Sequence, residues 1–165
     1  VCAPGTVDLT AAAITAGSTA GLTYTYWTDA AGTVPYATPT TATAGTYYIK
    51  GLTAAGCSDI KPVVVAVNAL PTPLVAGPSP VCQTVGALTS TYLTTNVTGN
   101  TYTWVVTGGT IVTGQGTSSI TVNWTTPGAG SVNVTETITL TGCSANSLKA
   151  ITITAKPNTT PITHN

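Results

Sequence analysis

Four cysteines, Cys2, Cys57, Cys82 and Cys143, are the residues of this chain best equipped for covalent chemistry. They admit three disulfide pairings. A metal site built on them lacks the usual parts: no CxxC spacing occurs, and the sole histidine, His164, is the penultimate residue of the sequence. A catalytic thiol would need a histidine near it, and none precedes His164. The acids are Asp8, Asp29, Asp59 and Glu136. A calcium ion wants six to eight oxygens with several carboxylates close together, and a hydrolytic pair wants two carboxylates flanking one bond. Asp8, Asp29 and Asp59 are spread too widely for either, and turn or cap roles are expected of them. A Ser-His-Asp relay needs a histidine to take the proton, so with His164 alone that chemistry is not expected. No catalytic, cofactor-binding or metal residue is therefore assigned.

Aromatic residues remain. Trp27 ends the run Tyr24-Thr25-Tyr26-Trp27 and alternates to the opposite face from Tyr26. It is the candidate for a ligand or interface contact, either with another domain or chain or with a sugar. Trp104 and Tyr26 stand mid-strand and are expected in the core, against a disulfide, as in Ig-like sandwiches. Of Tyr47 and Tyr48, one is expected inside and one outside. N-x-Thr triplets at Asn96, Asn123, Asn133 and Asn158 arise by chance in a Thr-rich chain.

These residues recur in order. "TYTYWTDAAGT" (23–33) corresponds to "TYTWVVTGGT" (101–110), "GTYYIKGLTAAGCS" (45–58) to "GSVNVTETITLTGCS" (130–144), and "KPVVVAVNA" to "KAITITAKP". Self-similarity at a fixed period is the mark of a tandem array. Aligning the repeats selects the pairings Cys2–Cys57 and Cys82–Cys143, each closing a loop of about 55–60 residues and contributing at most roughly 4 kcal/mol in the chain-entropy account. Disulfides imply an oxidising compartment: secreted, periplasmic or cell-surface.

Only 5% of residues are charged and the formal net charge is zero, against roughly 25% charged in average proteins. Such a chain has too few cations to displace counterions from nucleic acid. No apolar run is long enough for a membrane-spanning helix, so neither nucleic acid nor membrane insertion is expected. Threonine makes up about a quarter of the residues, with 17 glycines and 11 prolines between short apolar runs. Threonine is β-branched and suits a pleated strand, and glycine and proline punctuate turns.

The alternation places strands near 5–15, 22–28, 33–37, 45–52 and 60–68 in repeat one. In repeat two it places them near 84–93, 100–107, 109–113, 117–125, 130–141 and 148–156. The fold class expected is all-β: two tandem Ig-like antiparallel β-sandwich domains. Repeat one occupies 1–70 and lacks a lead-in strand, repeat two occupies 71–157, and 158–165 starts a following repeat or linker. The proline-rich stretch 68–82 is a stiff connector.

Residues 101–135, followed by Gly142-Cys143-Ser144, resemble the PKD-like module of very large Bacteroidota-type surface adhesins. Repeat one, with Cys2, "YTYW", "GTYYIKG" and "GCS", is similar to the Ig-like modules found beside it there. The resemblance implies sandwiches that form stalks and adhesins, with no active site. The function expected is a non-enzymatic structural module of an extracellular fibre, stalk or adhesin. The alternative is an accessory carbohydrate-binding module of a secreted hydrolase. Expected partners are neighbouring repeats or chains of the same protein, joined by strand addition through 158–165, and a surface glycan; no cofactor is expected.

Overall fold

The structure is a computed structural model and describes residues 1–84 and 88–159. The chain divides into two compact units, Val1–Ala69 and Leu70–Asn165. Among the described residues the regular structure is all β apart from one 3-10 turn, Pro39–Thr41.

The first unit is built on an antiparallel sheet of β1 (Thr23–Trp27), β2 (Gly45–Leu52) and β3 (Ser58–Val65), in that order across the sheet. Period-two alternation decides which face packs. Tyr26 pairs with Ile49, and Tyr47 with Val63. Tyr26, Tyr47, Val63 and Val65 turn inward onto Leu9 and Ala42, both fully buried, with Val7 and Tyr36 at the margin. Coil supplies the opposing layer: Val7 and Ala42 exchange two backbone hydrogen bonds of 2.9 Å, and the Leu9 N–H donates to Pro39 O at 2.7 Å. The strands expected near 5–15 and 33–37 are reduced to bridges at Val7 and Pro35. Asp8 ends the first, because its carboxylate accepts from the Thr10 N–H and hydroxyl at 2.8 and 2.6 Å and turns the chain. Pro35 has no N–H to continue the second.

The second unit is a two-sheet sandwich. Its strands are β4 (Val81–Cys82), β5 (Ser90–Leu93), β6 (Asn100–Thr107), β7 (Gly109–Thr113), β8 (Ser119–Trp124), β9 (Gly128–Ile138) and β10 (Ser144–Thr154). One sheet runs β4-β10-β9-β6, the other β5-β8-β7. Alternate residues of facing strands fill the space between: Trp104 from β6, Ile120, Val122 and Trp124 from β8, Val132 and Val134 from β9, all at most 2% exposed. Tyr92 meets Trp124 edge to face, centroids 5.8 Å apart. The lead-in segment, 71–80, bridges both sheets. Ala76 pairs with Leu93, the Val75 N–H donates to Ser147 Oγ, and the Thr152 N–H donates to Ser79 Oγ.

The cysteines differ from expectation. Cys57 and Cys82 carry free thiols and are exposed, while Cys2 and Cys143 are disulfide-bonded. The Cys2–Cys57 and Cys82–Cys143 bridges are not formed, and strand length is the reason. Cys2 pairs with Asn68, beyond the far end of β3, whereas Cys57 precedes its first residue, Ser58. Cys82 pairs with Thr154, the last residue of β10, whereas Cys143 precedes its first, Ser144. Strands of eight and eleven residues hold the partners roughly 25–35 Å apart, and a disulfide tolerates a Cα separation of only about 4.4–6.8 Å. Trp104 and Tyr26 are therefore not packed on an intra-repeat disulfide. The core around Trp104 is aromatic and aliphatic, and that around Tyr26 is Leu9, Tyr47 and valine.

Residues 158 and 159 lie exposed after the last strand. The rest of the segment expected to add a strand to a neighbour, 160–165, lies outside the described residues, as does His164.

Candidate functional site

Two features of each unit could act on something outside it: the way its last strand is held, and the cysteines at that strand's ends. In the first unit Cys2 lies parallel to Asn68. The Ala3 N–H donates to Asn68 O at 2.9 Å, and the Asn68 N–H donates to Val1 O at 2.8 Å. In the second unit β4 lies parallel to the end of β10, Val81 opposite Ile153 and Cys82 opposite Thr154. The Gln83 N–H donates to Thr154 O at 2.7 Å. The Gln83 side chain closes the corner, its amide donating to Thr125 O at 2.9 Å and its carbonyl accepting from the Lys156 N–H at 3.4 Å. Both units thus tie their first residues in parallel to the end of their last strand or to the segment just beyond it. Residue types did not signal this clamp, because its donors and acceptors are backbone groups that any residue carries.

The turn cysteines occupy equivalent places. Thr53 N–H donates to Cys57 O, and Ile138 N–H donates to Cys143 O, both at 2.9 Å. Cys57 also lines a groove of about 580 Å³ on the inner side of the β1–β3 sheet, beside Ile14, Leu22, Tyr24 and Ile49. Asp59 and Lys61 stand at its rim, 2.9 Å apart and both exposed.

The acids do local work. The Val34 N–H at 2.7 Å heads the donors that hold the Asp29 carboxyl below its ordinary value, followed by the Thr33 N–H and hydroxyl, closing the turn after β1. The Thr10 hydroxyl, then its N–H, lowers Asp8. The hydrogen bond from the Lys61 ammonium, then its charge, lowers Asp59. No group of three His, Cys, Asp or Glu able to hold a metal occurs among the described residues.

Trp27 is half-buried on the outer face of its sheet, opposite Tyr48. Its indole N–H donates to Thr25 Oγ1 at 3.0 Å, and its ring lies against Gly32, which also approaches Ile60. It thereby anchors the Asp29 turn. Tyr47 is buried and Tyr48 half-buried.

A sandwich of this topology, clamped between its first and last strands, matches the PKD-like domain family over residues 68–153, more than half of the 165-residue chain. The chain belongs to that family. No curated protein matches this PKD-like chain. Among solved structures it is similar to domains 4 and 5 of the S-layer protein SbsC, with 19% identity, TM-score 0.29, and coverage of 85% of this chain and 74% of that one. It is also similar to the fibronectin(III)-like modules of Clostridium thermocellum CbhA, with 13% identity, TM-score 0.36, and coverage of 86% and 83%. For the EC3-6 cis-dimer of protocadherin gammaB7 the figures are 11%, 0.35, 84% and 41%. Likenesses this distant say nothing of what the PKD-like chain binds.

Proposed function

We propose that this chain is a non-enzymatic structural module of an extracellular fibre, stalk or adhesin, and that its work is to bear load. The observation that carries this reading is the parallel clamp. When two strands run parallel and are pulled by opposite ends, they slide along each other. Their cross-strand bonds are then loaded together instead of peeling one at a time. Gln83 to Thr154, and Asn68 to Val1 and Ala3, are bonds across such parallel pairs. Each such bond adds only about 1 kcal/mol at equilibrium, so its value lies in resisting separation under force. That Cys2 and Cys143 are each disulfide-bonded supports an oxidising, extracellular setting. The low charge and the scatter of the acids give acid–base catalysis nothing to work with.

The test is to stretch a single chain, with its disulfide-bonded cysteines reduced, from its two ends. Gln83→Pro removes the donor N–H while keeping an extended φ. It is expected to lower the peak unfolding force of the second unit clearly, while Gln83→Ala, which keeps the N–H, lowers it much less. If Gln83→Pro opens at the wild-type force, the clamp does not carry the load and the mechanical reading fails.

A further inference from the structure

Each unit carries two kinds of cysteine at opposite ends of its last strand. One kind follows valine near the start of its unit and lies beside or just beyond the end of that last strand: Cys2 by Asn68, Cys82 by Thr154. The other sits in a Gly-Cys-Ser turn just before the strand begins: Cys57 before β3, Cys143 before β10. The disulfide-bonded cysteines are one of each kind, Cys2 from the first unit and Cys143 from the second. The free, exposed cysteines are again one of each kind with the units exchanged, Cys57 and Cys82. The second unit therefore offers its first-strand thiol, and the first unit its turn thiol.

We infer that Cys57 of one copy forms a disulfide with Cys82 of a second copy, coupling chains head to tail. Three observations converge. Neither thiol can reach the cysteine of its own unit, for the strand-length reason given above. Both are exposed, so a second chain can approach them. Their counterparts in the other repeat, at the same structural positions, are the ones already oxidised. The unlike combination is also the one that propagates: a contact between two different surfaces of the same chain adds copies without closing, whereas a like pair stops at two.

The electrons go to a small-molecule disulfide, for which oxidised glutathione is the probe. The Cys57 thiolate attacks it, forms a mixed disulfide and releases one glutathione thiolate. The Cys82 thiolate of the second copy then attacks the Cys57 sulfur and releases the other. Two protein thiols lose two protons and two electrons, and one glutathione disulfide becomes two glutathione thiols.

The inference goes beyond the load-bearing reading and stands apart from it. The two fail separately, because the stretching experiment uses one chain and no oxidant. The whole chain is incubated with oxidised glutathione, resolved without reductant, and its cross-linked peptides are identified by mass. A ladder of covalent multimers containing the Cys57–Cys82 peptide is expected. Cys57→Ser and Cys82→Ser, both at exposed positions, should each abolish every species above dimer. An equal mixture of the two variants should give the mixed dimer in at least about tenfold excess over either homodimer. Chains that stay monomeric, or homodimers that form as readily as the mixed dimer, overturn the proposal.

Discussion

Asp29 shows how much structure one exposed carboxylate can organise. It accepts from the N–H groups of Thr33 and Val34 and from the Thr33 hydroxyl. Those donors favour the ionised form and lower its pKa in the folded state. A lowered folded pKa means the unfolded chain takes up the proton first. The stabilisation is present above the ordinary value of 3.8 and is lost as pH falls through the lower folded value. Asp8 and Asp59 are lowered too, so acid weakens the first unit at two turns and at the Asp59–Lys61 pair on β3, where the turn or cap role expected of Asp59 is not found. We expect denaturant midpoints of the first unit to fall between pH 6 and pH 2.5, and Asp29→Asn to narrow that fall; an unchanged fall in the variant would show that the turn does not sense the charge. Glu136 is the opposite case. It shares the inward face of β9 with Val132 and Val134 and is 3% exposed. The Asn100 amide donates to it at 2.6 Å and the Tyr102 hydroxyl at 3.4 Å, which satisfies a buried acceptor.

At the scale of the strand, the lead-in segment controls how the sandwich closes. Gly77 has φ +150°, and a Cβ there would run into the ring of Tyr92 and the carbonyl of Thr91. Tyr92 cannot yield, because it is fully buried, packs on Trp124 and donates its hydroxyl to Pro78 O at 2.9 Å. Gly77→Ala should cost about 2–4 kcal/mol, combining overpacking with backbone strain. Chemical denaturation measures it, and a loss under about 0.5 kcal/mol would show that the segment moves aside freely. Gln115 guards a different edge. Its side-chain amide accepts from the Trp104 N–H and donates to Trp104 O, both at 2.9 Å, as a further strand beside β6 would. Alternation made much of this architecture legible. "GTYYIKGL", "NTYTWVVT" and "GTIVT" span β2, β6 and β7 to the residue. Residues 5–15 did not obey it, because an Asx turn at Asp8 is a local bond that periodicity does not record. The cysteine pairing was illegible for a related reason. Repeat alignment shows which cysteines are equivalent, but not that the last strand separates the two of one repeat by its whole length.

The two units do not carry equal cores, and the molecule should melt accordingly. Among the described residues the first gathers Leu9, Ala42, Tyr47 and Val65 as its buried cluster, against coil. The second gathers twelve buried residues between two sheets, with Trp104, Trp124 and Tyr92 among them. Fully burying a large apolar side chain contributes about 1.5–3 kcal/mol, and a domain of this size keeps only a small surplus over its conformational entropy. The first unit should therefore unfold at least about 10 °C below the second. Tryptophan reports this directly, because Trp27 belongs to the first unit and Trp104 and Trp124 to the second. Emission of the intact chain should change in two steps on heating, and Trp27→Phe should remove the earlier one. A single step that survives Trp27→Phe unchanged would mean that the units unfold together and that core size does not set their order.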